Sequence, residues 1–256
     1  MKRTIKEIHP NQALTNWNTY FKWRVQRASR FVRLTKETMP IAGKKVLDIG
    51  CGNGPLSKIL REEKAKVYAI DISKKALQVM KKNLKGVKIN IKKASNENLP
   101  FKNNFFDIVF SFCSFEHVAD IDKSMAEIKR VLKKDGQLVL EMTPYYSLIS
   151  GHHLYNYTLL PAQYLPKKFI KWWIFRKSPY KVRSPQDAWD QFMTLNKVSI
   201  KATKRLVKKY NLKLLKENYV FKIPHLFEVN INWIKYFGFL KEIIPISYQV
   251  ILCKQK

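Results

Sequence analysis

Two apolar patterns alternate along the middle of the chain, and each predicts its own element. Runs of consecutive or alternating apolar residues at 45–49, 66–70, 87–91, 106–110 and 137–141 predict strands. Between them, apolar residues recur at helical spacing over 55–61, 73–84 and 121–132. Pro55 sits near a first-turn position, where its missing N–H is harmless. Ser73 is placed to cap the second of these helices, and Asp120 precedes the third. Lys134-Asp135-Gly136 reads as the turn into the fifth strand. Strands that alternate with helices predict parallel βαβ units with helices on both faces of one sheet, an α/β fold.

The pattern changes on either side of this block. Residues 11–33 read as a helix carrying Trp17, Tyr20, Phe21, Trp23 and Phe31, with Arg24, Arg27, Arg30 and Arg33 at helical spacing. Those arginines are candidates to meet phosphate. Residues 143–190 read as an irregular stretch rich in proline and aromatics. A helix at 199–209 and strands at 212–219 and 248–253 follow. Two late strands with a long connection suit an antiparallel hairpin at the sheet edge.

Composition adds a partner to this picture. Against 49 basic residues stand 19 acidic ones, a net charge of +30 over 256 residues. Lysine bias without matching glutamate suggests an anionic partner, whether a membrane surface, nucleic acid or an acidic substrate; the alternative is a solvated basic surface. Cys51, Cys113 and Cys253 have neither metal-type spacing nor a disulfide framework, which fits a reducing compartment and no metal. Residues 1–10 lack the apolar core of a signal peptide, and no run of eighteen uncharged apolar residues exists. A cytoplasmic protein without a membrane span is therefore expected.

The strongest chemical signal is Val46-Leu47-Asp48-Ile49-Gly50-Cys51-Gly52-Asn53-Gly54. A buried strand runs into a glycine-rich turn that opens a helix, at the carboxyl edge where open α/β sheets bind ligands. The turn needs positive φ and lets a ligand approach the backbone closely. The spacing is Gly-x-Gly-x-Gly, not the Gly-x-Gly-x-x-Gly of nicotinamide enzymes. Asp48 can lie beside a sulfonium or ammonium charge, whereas it would repel a pyrophosphate. Asp71, at the end of strand two in Tyr68-Ala69-Ile70-Asp71, can accept hydrogen bonds from both hydroxyls of a ribose. A third segment is Ala94-Ser95-Asn96-Glu97-Asn98-Leu99-Pro100-Phe101, followed by the strand from Phe105 to Phe110.

Together these three segments resemble the class I methyltransferases, in particular the group that includes quinone and sterol methyltransferases, over residues 43–142. The resemblance implies a Rossmann-like sheet of seven mostly parallel strands with an antiparallel last strand, and S-adenosylmethionine (SAM) as cofactor. It implies one domain over 1–256, with the helix at 11–33 capping the cofactor and an acceptor-side insertion at 143–195. The contacts it implies are Asp48, Gly50, Cys51 and Gly52 for the methionine part and Asp71 and Ile72 for the ribose side. Ser95, Asn96 and Glu97 would lie by the adenine, with Cys113 and Tyr20 bordering the site. Many relatives carry Asp-Ala where Ser95 and Asn96 stand here; an Asn oxygen or the backbone can accept the same adenine hydrogen bond.

Methyl transfer from a sulfonium is an in-line displacement with a good leaving group, so alignment and water exclusion do most of the work. A general base is needed only where the acceptor carries a proton of high pKa. His117, in Ser114-Phe115-Glu116-His117-Val118, is one candidate base; His152, His153 and Tyr146 are the others, and each also has a purely structural reading. Residues 142–166 carry no charged side chain if the histidines are neutral, and Lys167-Lys168-Phe169-Ile170-Lys171-Trp172-Trp173 follows directly. Apolar, tyrosine-rich sequence followed by Lys and Trp has the composition of an interfacial anchor, and residues 223–239 can join that surface. The alternative is a lid packed on the sheet. Both suit a small or lipid-linked acceptor, whether a quinone, an isoprenoid or an envelope glycolipid, with oxygen as the acceptor atom, at the inner face of a membrane. An RNA methyltransferase is the second reading, though no Asn-Pro-Pro-Tyr-like segment follows strand four to hold a flipped base. A SAM-binding regulator without turnover is the third.

Overall fold

A computed structural model describes residues 16–148, 162–176, 184–223, 227–244 and 247–255. In chain order the elements are α1 (Trp17–Lys36), β1 (Lys45–Ile49), α2 (Pro55–Glu62), β2 (Lys66–Asp71), α3 (Lys74–Asn83) and β3 (Asn90–Lys93). Then come β4 (Phe106–Phe112), a 3-10 turn (Phe115–His117), α4 (Ile121–Val131), β5 (Leu132–Met142), α5 (Lys167–Arg176) and α6 (Pro185–Met193). The last are α7 (Ile200–Lys209), β6 (Leu212–Ile223), β7 (Phe227–Asn230), a 3-10 turn (Asn232–Tyr236), α8 (Leu240–Ile243) and β8 (Ser247–Lys254).

The strands form one sheet in the order β3-β2-β1-β4-β5-β8-β6-β7. β1 pairs in parallel with both β2 and β4, so the chain direction across the sheet reverses at β1 and leaves a crevice at the carboxyl ends of β1 and β4. β8 is antiparallel to β5 and to β6. Both sheet faces are covered, as the near-continuous apolar runs require. Leu47, Ile49, Val109, Leu138 and Leu140 face Met125, Ile128 and Val131 of α4. Val46, Ile108, Phe110 and Val139 face Ala28, Phe31 and Val32 of α1 and Leu56, Ile59 and Leu60 of α2.

Helix ends follow local chemistry. Asn16 accepts from the Thr19 N–H at 2.9 Å to start α1, and Ser73 accepts from the Ala76 N–H at 3.1 Å to start α3. Asp120 Oδ1 accepts from the N–H groups of Asp122 and Lys123, both at 3.0 Å, and Pro55 occupies the first turn of α2.

Four expectations need correction. The sheet has eight strands, not seven, because the four-residue β7 adds itself antiparallel to β6. The late antiparallel pair is not at the sheet edge: β8 inserts between β5 and β6, and β7 takes the edge. Strand three begins at Asn90 instead of residue 87, since Gly86 (φ 82°) and the Val87 N–H to Leu84 carbonyl bond still belong to the end of α3. The stretch 143–190 is not wholly irregular: Ile170 and Ile174 of α5 pack on Ala188 and Phe192 of α6, two i,i+4 pairs that make a small separate core.

Candidate functional site

The glycine turn lies in the crevice where β1 and β4 end. Gly50 has φ 66°, and a Cβ there would fall 2.4 Å from Ser114 Cβ and 2.8 Å from its Oγ. The two strand ends thus approach too closely for any side chain. Gly52, at φ 54°, instead faces open space, where a Cβ would meet nothing within 4 Å. Its N–H donates to Asp71 Oδ2 at 2.9 Å, and the Ser73 N–H donates to Asp71 Oδ1 at 2.8 Å. Two backbone donors therefore fix the Asp71 carboxylate against the turn, and each oxygen keeps a lone pair for a further donor.

Beneath the turn the residues are buried. Asp48 is 1% exposed and accepts from Ser57 Oγ at 2.6 Å; burial pushes its carboxyl up to about 7. Cys51 turns its thiol inward, 3.5 Å from Met80 Sδ, so only its backbone faces the crevice. Arg24 of α1 carries its guanidinium 5.4 Å from the centre of the Phe112 ring, and its buried Nε has no partner among the described residues. α1 crosses the flank of the site. Tyr20 is buried between Trp17 and Trp23, and Phe21 packs on the cluster of Cys51, Leu77, Met80 and Leu84.

One arginine expected to meet an external phosphate turns inward. Arg27 Nη2 donates to Glu141 Oε1 at 2.8 Å, because a carboxylate 4% exposed inside β5 needs a cation. Gln249 Nε2 donates to the other Glu141 oxygen at 2.8 Å. Cys113 adopts φ 52°, and its N–H donates to the Glu141 carbonyl at 2.9 Å. Burial raises its thiol to about 12 despite Arg27 nearby, which favours the neutral thiol.

The adenine side is more open. Ile72 is 66% exposed immediately after Asp71, an uncovered apolar side chain beside a fixed carboxylate. Asn96 is half-buried. The Ser95 hydroxyl donates to the Glu97 carboxylate, whose Oε1 also accepts from the N–H groups of Ala119 (3.1 Å) and Asp120 (3.3 Å). Glu97 is thus engaged in tying its loop to the start of α4.

On the acceptor side, His117 Nδ1 lies 2.9 Å from Thr194 Oγ1. Asn196 binds the same 3-10 turn three times: its side chain donates to the carbonyls of Phe115 (2.9 Å) and Val118 (2.8 Å), and its N–H to that of Glu116 (2.8 Å). The Tyr145 N–H donates to the Val198 carbonyl at 2.8 Å, which brings half-exposed Tyr146 to the same rim. His152 and His153 lie outside the described residues. Among the described residues no group of three or more His, Cys, Asp and Glu is disposed to hold a metal.

Sequence reasoning missed Glu116 and Glu141. Glu116 is fully buried, neither carboxylate oxygen has a partner among the described residues, and desolvation raises its carboxyl to about 7. The available signal was an acid placed in an apolar setting: Glu116 between Phe115 and the His117-Val118 pair, Glu141 within the strand Leu138 to Met142.

Residues 47–140 match the family model described as a methyltransferase domain. The chain is 34% identical over 142 residues to the ubiquinone biosynthesis O-methyltransferase of Pelagibacter ubique, covering 55% of each protein. It is 35% identical over 136 residues to the ubiquinone/menaquinone biosynthesis C-methyltransferase of Paraburkholderia phymatum, covering 50% of this chain and 55% of that one. The chain thus spans about half the length of the curated relatives it matches. The solved structure of an S-adenosylmethionine-dependent methyltransferase from Mesorhizobium loti shares the fold, with a TM-score of 0.58 at 14% identity over 90% of this chain and 99% of that one. With its glycine turn bonded to Asp71 at the β1/β4 crevice, the stretch 47–140 is similar to the methyltransferase domain of that family model, and the whole chain shares the fold of solved SAM-dependent methyltransferases.

Proposed function

We propose that this protein transfers the methyl group of SAM to a bulky apolar acceptor of quinone-related type, and that the described chain works as one domain. The observation that carries the reading is the Asp71 carboxylate, held by the Gly52 and Ser73 N–H groups at the edge of a crevice that Gly52 leaves open, while Gly50 lets the ends of β1 and β4 close against Ser114. When bound, SAM supplies a methyl group already activated on a sulfonium.

The chain's residues do the rest. Gly50, Cys51 and Gly52 offer backbone to the methionine part, and Asp71 takes the ribose hydroxyls. Ile72 covers one face of the adenine, with Ser95, Asn96 and Glu97 along its edge. Asp48, when ionised, supplies negative charge beneath the turn, and Arg24, whose buried Nε has no partner among the described residues, pairs with the carboxylate of the cofactor. Cys113 and Tyr20 border the site, and the rim at His117 and Tyr146 receives the acceptor. His117, His152, His153 and Tyr146 are the candidates to accept a proton from an acceptor hydroxyl.

The quinone-related class is supported by the names of the relatives, one an O-methyltransferase and one a C-methyltransferase. Oxygen is the acceptor atom of this reading. The excess of cations favours one competing acceptor, RNA. Incubation with methyl-labelled SAM and cell extract separates the two. Label in the organic-soluble fraction supports the proposal, label in RNA replaces the acceptor, and calorimetry showing no affinity for SAM or its demethylated product removes the function altogether.

A further inference from the structure

The described surface carries large exposed aromatics that the cofactor site does not use. On α5, Phe169, Trp172 and Phe175 are exposed, Trp172 by 52%, while Ile170 and Ile174 are buried against α6. At about 100° per residue the three rings occupy one side of the helix and the two isoleucines the other. Lys168 and Arg176 share the side of the rings, and Lys171 flanks it. The Arg176 guanidinium lies 5.4 Å from the centre of the Trp172 ring.

A second exposed set follows β7. Trp233 is 58% exposed and Phe239 71%, with Tyr236 and Phe237 between them. The two sets leave the same short segment. Gln163 Nε2 donates to the carbonyls of Tyr145 (3.1 Å) and Ser147 (2.6 Å), which anchors the approach to α5. The Leu148 N–H donates to the Ile243 carbonyl at 2.8 Å, which anchors α8 just beyond Phe239. Tyr146, Leu148 and Tyr164, on or beside this shared segment, are themselves exposed.

We infer that this aromatic ridge docks on an anionic lipid bilayer; the inference rests on the methyltransferase reading and names the partner from which the acceptor is drawn. Trp and Phe seat at headgroup and acyl depth while Lys and Arg meet anionic headgroups. A protein interface of this kind would be depleted of lysine at its core. RNA would call for cations along its whole track, yet between residues 233 and 239 four rings accompany the single cation Lys235. No described helix is long and apolar enough to cross a membrane, so contact is interfacial.

The test is flotation of the full chain with vesicles of phosphatidylglycerol in phosphatidylcholine, against pure phosphatidylcholine and against RNA, followed by tryptophan fluorescence. Binding to the anionic vesicles with a blue shift is expected. Lys168→Ser and Lys171→Ser should each weaken it about fivefold, and the pair Trp172→Ser with Trp233→Ser should abolish the blue shift. Lys81→Ser with Lys82→Ser, on exposed α3, should change binding less than twofold. Equal losses from the α3 pair, binding to RNA but not vesicles, or no vesicle binding at moderate salt would each overturn the inference. Affinity for S-adenosylhomocysteine, measured on the same samples, reports the cofactor reading separately: its absence with vesicle binding intact sinks the enzyme reading alone.

Discussion

The cofactor half, residues 43–142, and the half that follows it are built on different principles. In the first, backbone geometry makes the site. Gly50 cannot carry a side chain, Gly52 is bonded to Asp71, and apolar layers lie on both sides of β1 and β4. In the second, apolar area makes the site: α5 and α6 share a core of four buried residues and leave their rings outside it. A site made of backbone tolerates few residue types, whereas one made of area tolerates many. The first half is therefore constrained mainly by identity, and the second mainly by hydrophobicity, with amide side chains such as Gln163 and Asn196 as fixed points.

The sharpest way to break the contrast is Gly50→Ala. The added Cβ meets Ser114 at 2.4 Å in a left-handed backbone, so stability should fall by about 3 kcal/mol or more and cofactor affinity should vanish, measured by denaturant unfolding and calorimetry. Next in size, Ile174→Ala should cost about 2–4 kcal/mol locally. Hydrogen exchange should rise across 167–193 while affinity for SAM moves less than twofold. A cofactor loss there would show the halves to be one cooperative unit. Asp71→Asn should keep the overall fold but leave either the Gly52 or the Ser73 N–H facing an amide NH2, and weaken SAM about 10–100-fold.

The buried carboxylates make the comparison pH-dependent. Asp48 and Glu116 both have carboxyls raised to about 7 by burial, above their unfolded values of 3.8 and 4.5. Their contribution to stability is full below the unfolded values and is lost as pH rises through about 7, so the cofactor-free protein should become less stable between pH 4 and 7. A cationic cofactor favours ionised Asp48, so SAM affinity should rise with pH over the same window and level off above 7. Asp48→Asn should flatten the affinity profile and lessen the stability slope, and Glu116→Gln should lessen the stability slope alone. The smallest effect is expected from Trp172→Ser: unfolding within about 0.5 kcal/mol of the parent and unchanged SAM affinity.

How far the sequence could be read follows the same division. The parallel order, the caps at Ser73 and Asp120 and the turn at 50–54 were legible because each depends on a residue type with one physical use. Strand three was misplaced because Gly86 extends the end of α3 into residues that are also β-prone. The helices at 167–176 and 185–193 were missed because their i,i+4 pairs are obscured by aromatics on the outward face. Glu116 could not be ranked by local pattern, since its carboxyl is buried near Glu141 and Arg27, which reach it from distant parts of the chain.

Asn196 gives the segment 194–198 a mechanical meaning. Three bonds from one residue of the second half pin the turn that carries Glu116 and His117 in the first. The 194–198 segment cannot lift at this point without releasing the carbonyls of Phe115, Glu116 and Val118. Any movement of the 194–198 segment and any rearrangement of the turn that carries Glu116 and His117 are thereby linked through one residue.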